Sequence, residues 1–319
     1  MPGEQPSSGR LGPLVFATLV FGALAPAGLV TLPLALLVLL ARPRGARELT
    51  AVVLAGGFSA WWLLQPGTIA DQITRSGAVI GSATFVLATR FSRSSLTHRA
   101  LLAAGTAGVA LACLFLVGPW TWADVRFWVA HRTGFAVRVV LGPFWVASGG
   151  SASAQTAAAD LEQWFTLSVK LLADHYAAVV ALQLMAGLAL AWAIHRRIAS
   201  RPLGDAPGRF RDFRFTEHLG WLAVAALCAV VIPRLAAAKL AAANLLVVAG
   251  ALYALRGVAV ATFGLAAAGG TGAGTVVLIA LATLFILPAV AAGAIVLGVV
   301  DAGLDLRRRM AANAARPRG

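Results

Sequence analysis

Long apolar stretches recur along nearly the whole chain and constrain its fold more than any other feature. Residues 101–118 and 275–300, for example, contain no charged side chain, and roughly 20 apolar residues in a helix cross the hydrocarbon core of a bilayer. The chain is 60% hydrophobic and only 12% charged, whereas a soluble domain is about half apolar. We therefore predict an all-α fold, a polytopic transmembrane helical bundle surrounded by the lipid bilayer.

Positive charge is concentrated between the apolar stretches. The net charge is +14, but a nucleic-acid-binding protein carries such charge as a continuous patch on a polar domain, so we expect no nucleic-acid partner. The clustered arginines are Arg10; Arg42, Arg44 and Arg47; Arg90, Arg93 and Arg99; Arg196, Arg197, Arg201, Arg209, Arg211 and Arg214; and Arg307, Arg308, Arg309, Arg316 and Arg318. Short basic loops of this kind are typical of the cytoplasmic side of membrane spans.

The apolar stretches predict eight to ten membrane segments. The predicted segments are 11–24, 27–41, 48–65, 69–90, 99–118, 175–194, 218–233, 240–266 and 275–300. A single helix over 11–41 would be about 45 Å long, too long for a modest tilt, so Pro26 is predicted to divide it. Counting crossings from the basic loops puts the C-terminal tail outside, whereas Arg307 to Arg309 argue for a cytoplasmic tail, which we expect. Dividing the last segment at Pro288, or dividing 240–266, would remove the conflict.

Residues 119–172 contain no stretch apolar enough to cross. Trp122, Val125 and Val129 recur at helical spacing, which predicts a pair of amphipathic helices lying in the interface plane and joined by a glycine-rich linker at 149–153. A helical pair that packs as a cap on the bundle is the alternative. The predicted regions are N-terminal transmembrane helices (1–118), amphipathic interfacial helices (119–172) and C-terminal transmembrane helices with a basic tail (173–319).

Polar residues in the apolar C-terminal third are candidates for binding a ligand. Such residues are expensive at membrane depth, so they mark a site, a helix contact or a membrane boundary. Asn244, Tyr253 and Arg256 lie on one predicted helix, and the last two share a face because they are three residues apart. We predict an anion-binding group in a substrate cavity there. The alternatives are snorkelling of Arg256 to the interface or a buried ion pair with Asp301 or Asp71.

The exit of the last predicted span carries a second polar group of residues, Asp301, Asp305 and Arg307. Two carboxylates four residues apart lie on one helix face and could bind a cation. The arginines that follow favour a salt bridge within the chain or with a partner.

A similar group occurs near the start of the segment at 69–90. Asp71 and Arg75 are spaced as an i,i+4 pair that neutralises itself. Gly77 and Gly81 have the spacing that lets two membrane helices approach closely. We predict a structural role for both pairs.

We find no catalytic constellation. Ser59 lies in a Gly-x-Ser string like that of intramembrane serine proteases, but no later span carries a central histidine to act as its base. The glycine-rich string at 269–274 lacks the strand-to-helix context of a nucleotide-binding loop. The histidines and cysteines are not at metal-ligand spacing. We therefore expect no enzymatic activity, no metal and no cofactor.

The C-terminal motifs resemble those of the YybS-like family of bacterial membrane proteins, a domain of unknown function (DUF2232). The residues that carry the resemblance are Phe213-Arg214-Phe215, Asn244-Leu245, Tyr253, Gly257, Phe263, Gly298, Asp301, Leu304, Asp305 and Arg307. Pro33, followed by Arg42-Pro43-Arg44-Gly45, is similar as well. The chain departs from that family at Arg256, where a neutral amide is usual.

The resemblance implies a function, because that family is distantly similar to the S components of energy-coupling-factor vitamin transporters. It implies a compact multi-pass protein of the bacterial plasma (inner) membrane with a ligand cavity, working with a coupling subunit and ATPases encoded elsewhere. We therefore expect a small-molecule-binding or transport component. The alternative is a membrane scaffold or anchoring protein that acts on partners through its amphipathic helices and basic tail.

Overall fold

The computed structural model describes residues 27–314 except 93, 148–151, 207, 217 and 268–286. Within that part of the chain every regular element is helical, which confirms the all-α prediction. The α-helices are α1 (Gly28–Leu40), α2 (Ala46–Leu64), α3 (Ile69–Phe91), α4 (Leu96–Val117), α5 (Trp122–Ala147), α6 (Ala152–Asp174), α7 (Tyr176–Ile198), α8 (His218–Val231), α9 (Lys239–Ala267), α10 (Leu287–Leu304) and α11 (Leu306–Ala314). Short 3-10 helices occur at Phe210–Asp212 and Pro233–Ala238.

Reciprocal side-chain caps mark where two of these helices begin. At the start of α3 the Thr68 hydroxyl accepts from the Asp71 N–H, and the Asp71 carboxylate accepts from the Thr68 N–H at 3.0 Å. Thr121 and Asp124 exchange the same pair of bonds before α5. These reciprocal bonds satisfy backbone donors that have no partner within the helix. The Thr121 backbone N–H, with its hydroxyl, holds the pKa of Asp124 below its ordinary value.

Three helices among the described residues are long and apolar enough to cross a membrane: α4, α7 and, over Lys239–Ala266, α9. A fourth span results if α10 and α11, which are bent by 72°, count as one. Helices α1 and α8 are apolar but shorter. The predicted segments at 48–65 and 69–90 form α2 and α3, which are not among the candidate spans. The predicted count of eight to ten is therefore not confirmed. Segment 11–24 and residues 275–286 of the last predicted segment lie outside the described residues.

The chain divides into two compact units, Met1–Asp205 and Ala206–Gly319. In the first unit α1 packs on α2 and α7, while α4 packs on α3 and α7. One apolar cluster joins α1, α2 and α7 through Val30, Val38, Ala55 and Ala191. The predicted regions 1–118, 119–172 and 173–319 were defined by hydropathy, whereas these two units are defined by packing contacts. The predicted division therefore stays a prediction.

The predicted close helix contact occurs at Gly81. A Cβ atom there would come within 2.5 Å of Leu184 Cδ2, so α3 approaches α7 more closely than a larger residue would allow. Gly77 is looser, since its Cβ would lie 3.5 Å from Leu111 Cδ1.

Helices α5 and α6 form the predicted helical pair and pack against each other. Val125, Val129 and Ala173 are buried against α3 at the base of the pair. Farther along, large apolar side chains are exposed, among them Phe135 and Trp164. An interfacial location for this pair stays a prediction.

In the second unit, α9 packs on α8 and α10. Its contact with α10 includes close approaches of backbone atoms at two glycines. A Cβ on Gly257 would lie 1.9 Å from the Ala294 carbonyl oxygen, and one on Gly298 would lie 2.0 Å from the Tyr253 carbonyl oxygen. Only glycine fits at either position, which brings the polar residues of both helices close together.

Candidate functional site

Asp301 is the centre of a buried hydrogen-bonded network in the second unit. Its side chain is fully buried, and its Oδ2 atom accepts from Arg256 Nε and from Arg307 Nη2, each at 2.8 Å. Arg256 Nη2 also donates to the Asp301 carbonyl oxygen at 3.1 Å. One of the alternatives that the sequence left open, a buried pair of Arg256 with Asp301, is thus the arrangement observed.

A bend at Asp305 makes this network possible. Asp305 lies between α10 and α11 with a positive φ of 46°, a conformation that aspartate adopts more readily than most residues. Its N–H donates to the Asp301 carbonyl oxygen at 3.0 Å, closing the last turn of α10. After the bend, Arg307 points back to Asp301 and is buried, whereas Arg308 and Arg309 are exposed. The predicted salt bridges of this motif therefore form within the chain.

The bend is also bonded to the segment that precedes α8. Arg307 Nη1 donates to the carbonyl oxygens of Arg211 and Phe213, both at 3.0 Å. Arg214 Nη2 pairs with Asp305 Oδ1 at 2.9 Å, and both of these side chains are partly exposed. Arg307 and the Asp305–Arg214 ion pair thus hold this segment in place.

That loop, residues 211–215, lies over the predicted ligand-binding residues, and we call it the covering segment. The Phe215 ring stands over the Arg256 guanidinium, 5.4 Å from ring centre to Cζ, and meets the Tyr253 ring edge-on at 5.0 Å. A cation–π contact stabilises by about 0.5–1 kcal/mol when exposed and by about 2 kcal/mol when desolvated. Tyr253 and Arg256 share a face, as predicted, and Phe215 covers both.

Asn244 is not part of this group. It lies twelve residues before Arg256 on α9, which is about 18 Å along a helix. Its Nδ2 atom donates to the Leu240 carbonyl oxygen at 3.0 Å within the same helix. Two to three turns of helix therefore separate Asn244 from Tyr253 and Arg256, and a cavity lined by all three residues stays a prediction.

The network carries an excess of positive charge. Arg256 and Arg307 share a single carboxylate, that of Asp301, and all three side chains are less than a tenth exposed. Arg307 Nε is buried with no hydrogen-bond partner among the described residues. A buried charge must be paired or it is strongly destabilising. The arrangement is therefore complementary to a further negative charge.

The predicted pair of Asp71 and Arg75 in the first unit does not form. Asp71 is turned towards its own cap and towards α5, where it forms an ion pair with Arg132. Arg75 donates instead to the carbonyl oxygen of Gln65 and lies 5.9 Å from the centre of the Trp62 ring. The i,i+4 spacing places the two residues on one helix face, but the Asp71 carboxylate is bonded to Thr68 and Arg132 and forms no ion pair with Arg75.

Other candidate features take structural positions. The Ser59 hydroxyl is buried and shares a hydrogen bond with the Thr31 hydroxyl at 3.0 Å. Among the described residues no three histidine, cysteine, aspartate or glutamate side chains gather as a metal site. A cleft of about 130 Å³ lies in the first unit, smaller than the roughly 300–1,000 Å³ of usual small-molecule sites. Its lining residues are Ile69, Gln72, Ile73, Ser76, Leu111, Leu114, Phe115 and Trp120.

Sequence reasoning did not assign Phe215 to the site, nor the carbonyl groups that Arg307 holds. The sequence does show an aromatic-arginine-aromatic string just before an apolar stretch. However, this string lies far from Arg256 along the chain, and no helical or strand spacing relates two residues on separate segments. The glycines at the α9–α10 contact were likewise noted without a partner.

Comparison with known proteins gives one kind of match. A family model described as "Predicted membrane protein (DUF2232)" matches residues 13–302. The matched range includes the covering segment, Tyr253, Arg256 and Asp301. No curated protein and no solved structure matches the chain.

Proposed function

We propose, since this chain belongs to the DUF2232 family of predicted membrane proteins, that it is a membrane-embedded component that binds a small acidic molecule at Arg256. In this role it binds and presents the molecule for transport and catalyses no reaction itself. The S components of energy-coupling-factor transporters have such a role, with a coupling subunit and ATPases on other chains.

The observation that carries this proposal is the sharing of one carboxylate by two guanidinium groups. Arg256 uses Nε and Nη2 on Asp301, and within the described part of the chain its Nη1 makes no hydrogen bond. Guanidinium groups bind carboxylates and phosphates through two parallel hydrogen bonds. A ligand carboxylate or phosphate at Nη1 would compensate the charge that Asp301 leaves unpaired.

The covering segment defines how such a ligand would enter. The Phe215 ring covers one face of the Arg256 guanidinium and meets the Tyr253 ring, whereas an anion would bind the N–H edge of the guanidinium in its plane. Arg307 holds the segment by two carbonyl groups. We propose that Phe215 swings away when the ligand binds, so that the Tyr253 hydroxyl becomes a second donor to it. Within the described residues the Tyr253 hydroxyl has no hydrogen-bond partner, which leaves it available.

The proposed location is the bacterial plasma membrane, with a cytoplasmic tail. Three candidate spans, one bent pair and the shorter apolar helices α1 and α8 support a multi-pass arrangement. The finer count of eight to ten segments is part of the same proposal.

Thermal unfolding in a neutral detergent, measured with a panel of small carboxylic and phosphoric acids, tests the proposal. We expect at least one compound to raise the unfolding temperature of the wild type, and Arg256→Lys and Tyr253→Phe to reduce that increase. Tyr253→Phe removes only the hydroxyl, and Arg256→Lys keeps the positive charge that Asp301 requires while removing the planar donor fork. Arg308→Gln removes an exposed positive charge nearby and is the matched control. Equal stabilisation of the wild type and Arg256→Lys by the same compound would exclude this site.

A second candidate function, anchoring of a partner, is favoured by α11. The bend at Asp305 presents Arg308 and Arg309 on an exposed helix face, and basic residues beside a membrane attract acidic surfaces. Arg308→Glu with Arg309→Glu should release a partner in a pull-down from solubilised membranes. The same partners recovered with this double variant would remove α11 from the account. Deleting the whole tail is a poorer test, because it also removes the buried Arg307.

A further inference from the structure

A third buried guanidinium, that of Arg99 in the first unit, differs from those of Arg256 and Arg307 in having no acceptor among the described residues. Arg99 lies in the first turn of α4, is only 4% exposed, and stacks on the Trp192 ring with its Cζ 4.9 Å from the ring centre. Its Nε atom is buried without a hydrogen-bond partner, and the described part of the chain offers it no ion pair within 4 Å. Buried guanidinium groups normally satisfy their donors, because leaving them unpaired is strongly destabilising.

Two further nitrogen atoms beside Arg99 are also buried without partners in the described structure, Trp192 Nε1 and His195 Nδ1. The two rings are neighbours on α7, with centres 5.7 Å apart. His195 Nε2 accepts from the Leu203 N–H at 3.1 Å, which folds the loop after α7 back over the cluster. An N–H donor of Trp192 and the guanidinium of Arg99 are thus enclosed by one loop.

Gly204 brings that loop against both side chains. Its φ of +63° is one that glycine adopts readily. A Cβ on Gly204 would lie 3.0 Å from Trp192 Cη2 and 3.4 Å from Arg99 Nη1. Because both atoms lie close to this one point, the loop at Gly204 packs directly against Arg99 Nη1 and against the benzene edge of the Trp192 indole.

The nearby carboxylates do not take the role of partner. Glu48 is already bonded to the N–H groups of Ser200 at 2.6 Å and Arg44 at 3.1 Å. Asp205 acts on Arg99 only through space and forms no ion pair with it. The Glu48–Ser200 bond also brings the basic segment at 42–47 to the end of the unit that carries the basic residues after His195, and this local positive charge attracts anions.

We propose that Arg99, together with Trp192 Nε1 and the loop at Gly204, binds an oxyanion of the phosphate type. Phosphate oxygens match the planar donor fork of arginine and accept readily from an indole N–H. The phosphate comes either from an anionic lipid headgroup at the membrane boundary or from a free phosphate species. This site lies in the first unit and is independent of the proposed site at Arg256.

Thermal unfolding of the full-length protein in a neutral detergent tests the proposal. One arm titrates inorganic phosphate against chloride at equal ionic strength. The other compares protein in bilayers of phosphatidylglycerol with protein in bilayers of phosphatidylcholine. Stabilisation by inorganic phosphate assigns a free phosphate, and stabilisation by phosphatidylglycerol alone assigns a lipid headgroup. No stabilisation in either arm would overturn the proposal.

Two arginine variants separate this site from general charge effects. Arg99→Gln should weaken the apparent affinity for the stabilising anion about tenfold or more, since it removes charge-assisted hydrogen bonds. Arg197→Gln removes an exposed positive charge at the same end of the unit and should leave the affinity unchanged. Stabilisation by phosphate that is lost in Arg256→Lys but kept in Arg99→Gln would belong to the site proposed at Arg256, and this pattern distinguishes failure here from failure at the proposed function. An unaltered affinity in Arg99→Gln would contradict the assignment.

Two more variants keep the test decisive if Arg99→Gln does not fold. Arg99→Lys keeps the charge but loses the donor fork, so it should still weaken binding. Asp205→Asn removes the nearest competing negative charge and should strengthen binding. If Asp205 were instead the true partner of Arg99, Asp205→Asn would lower the unfolding temperature without strengthening anion binding, and the proposal would be wrong.

Discussion

Arg307 follows Asp301 by only six residues, yet its side chain donates to the Asp301 carboxylate at 2.8 Å. In a continuous helix these two residues would be about 9 Å apart along the axis and would point in different directions. The bend at Asp305 brings them together. The Asp301 side chain therefore binds an arginine from its own end of the chain and Arg256 from α9, and it fixes both the α9–α10 contact and the direction of α11.

Replacing Asp301 should destabilise the second unit strongly. Asp301→Asn leaves two buried guanidinium groups without a carboxylate, and breaking a buried pair in this way costs about 3–5 kcal/mol. Asp305→Asn is the control, because the Asp305–Arg214 pair is partly exposed and such pairs contribute about 1 kcal/mol or less. Denaturant unfolding in detergent measures both. Similar losses for the two variants would contradict the central position of Asp301.

The backbone contact between α9 and α10 makes a prediction for two glycines of α10. Gly298→Ala should destabilise by about 1–3 kcal/mol, since its Cβ would meet the Tyr253 carbonyl group and force the helices apart. Gly293→Ala meets nothing within 4 Å, so it should be neutral or stabilising by up to about 1 kcal/mol through its better helix propensity. Thermal unfolding of both variants checks the contrast, and a harmless Gly298→Ala would show that the contact is absent.

The partner of Asp71 can be identified by double-mutant cycles. We expect a coupling of about 0.2–1 kcal/mol between Asp71 and Arg132, a modest value because the Arg132 side chain is 70% exposed. The cycle for Asp71 and Arg75 should give no measurable coupling. A larger coupling energy between Asp71 and Arg75 than between Asp71 and Arg132 would show that Arg75 is the partner of Asp71.

Phe215 should hold the covering segment closed. Phe215→Leu keeps an apolar side chain but removes the cation–π contact with Arg256, which contributes about 0.5–2 kcal/mol. Trypsin should then cleave faster after Arg211 or Arg214 in the folded protein. Trp221→Leu changes an exposed ring on α8 and is the control. Equal cleavage of Phe215→Leu and the wild type would mean that this contact does not hold the segment.

The parts of the fold that follow from the sequence are those set by local rules. Apolar stretches of span length predicted helices, and the three-residue spacing of Tyr253 and Arg256 put them on one face. The bend between α10 and α11 could not be predicted, because it depends on a positive φ at Asp305, and hydropathy does not report backbone dihedral angles. The partner of Asp71 was missed because spacing says which residues are near, whereas capping bonds decide where a carboxylate points.

The site could be predicted only in part for a related reason. Asp301 was among the partners considered for Arg256, since a buried arginine must find a carboxylate or a route to water. Asn244 was grouped with Arg256 because both are polar residues on one apolar helix, although helical rise separates them by about 18 Å. Phe215 lies on another segment, and its contact with Arg256 depends on tertiary packing alone.

Native mass spectrometry of the protein released from a mild detergent tests most directly whether Arg256 binds an acidic molecule. The wild type should retain a small acidic compound from the cell, and Arg256→Lys, purified in parallel, should have lost most of it while Arg308→Gln keeps it. The same compound at the same occupancy in the wild type and Arg256→Lys, or no bound compound in the wild type, would contradict the account.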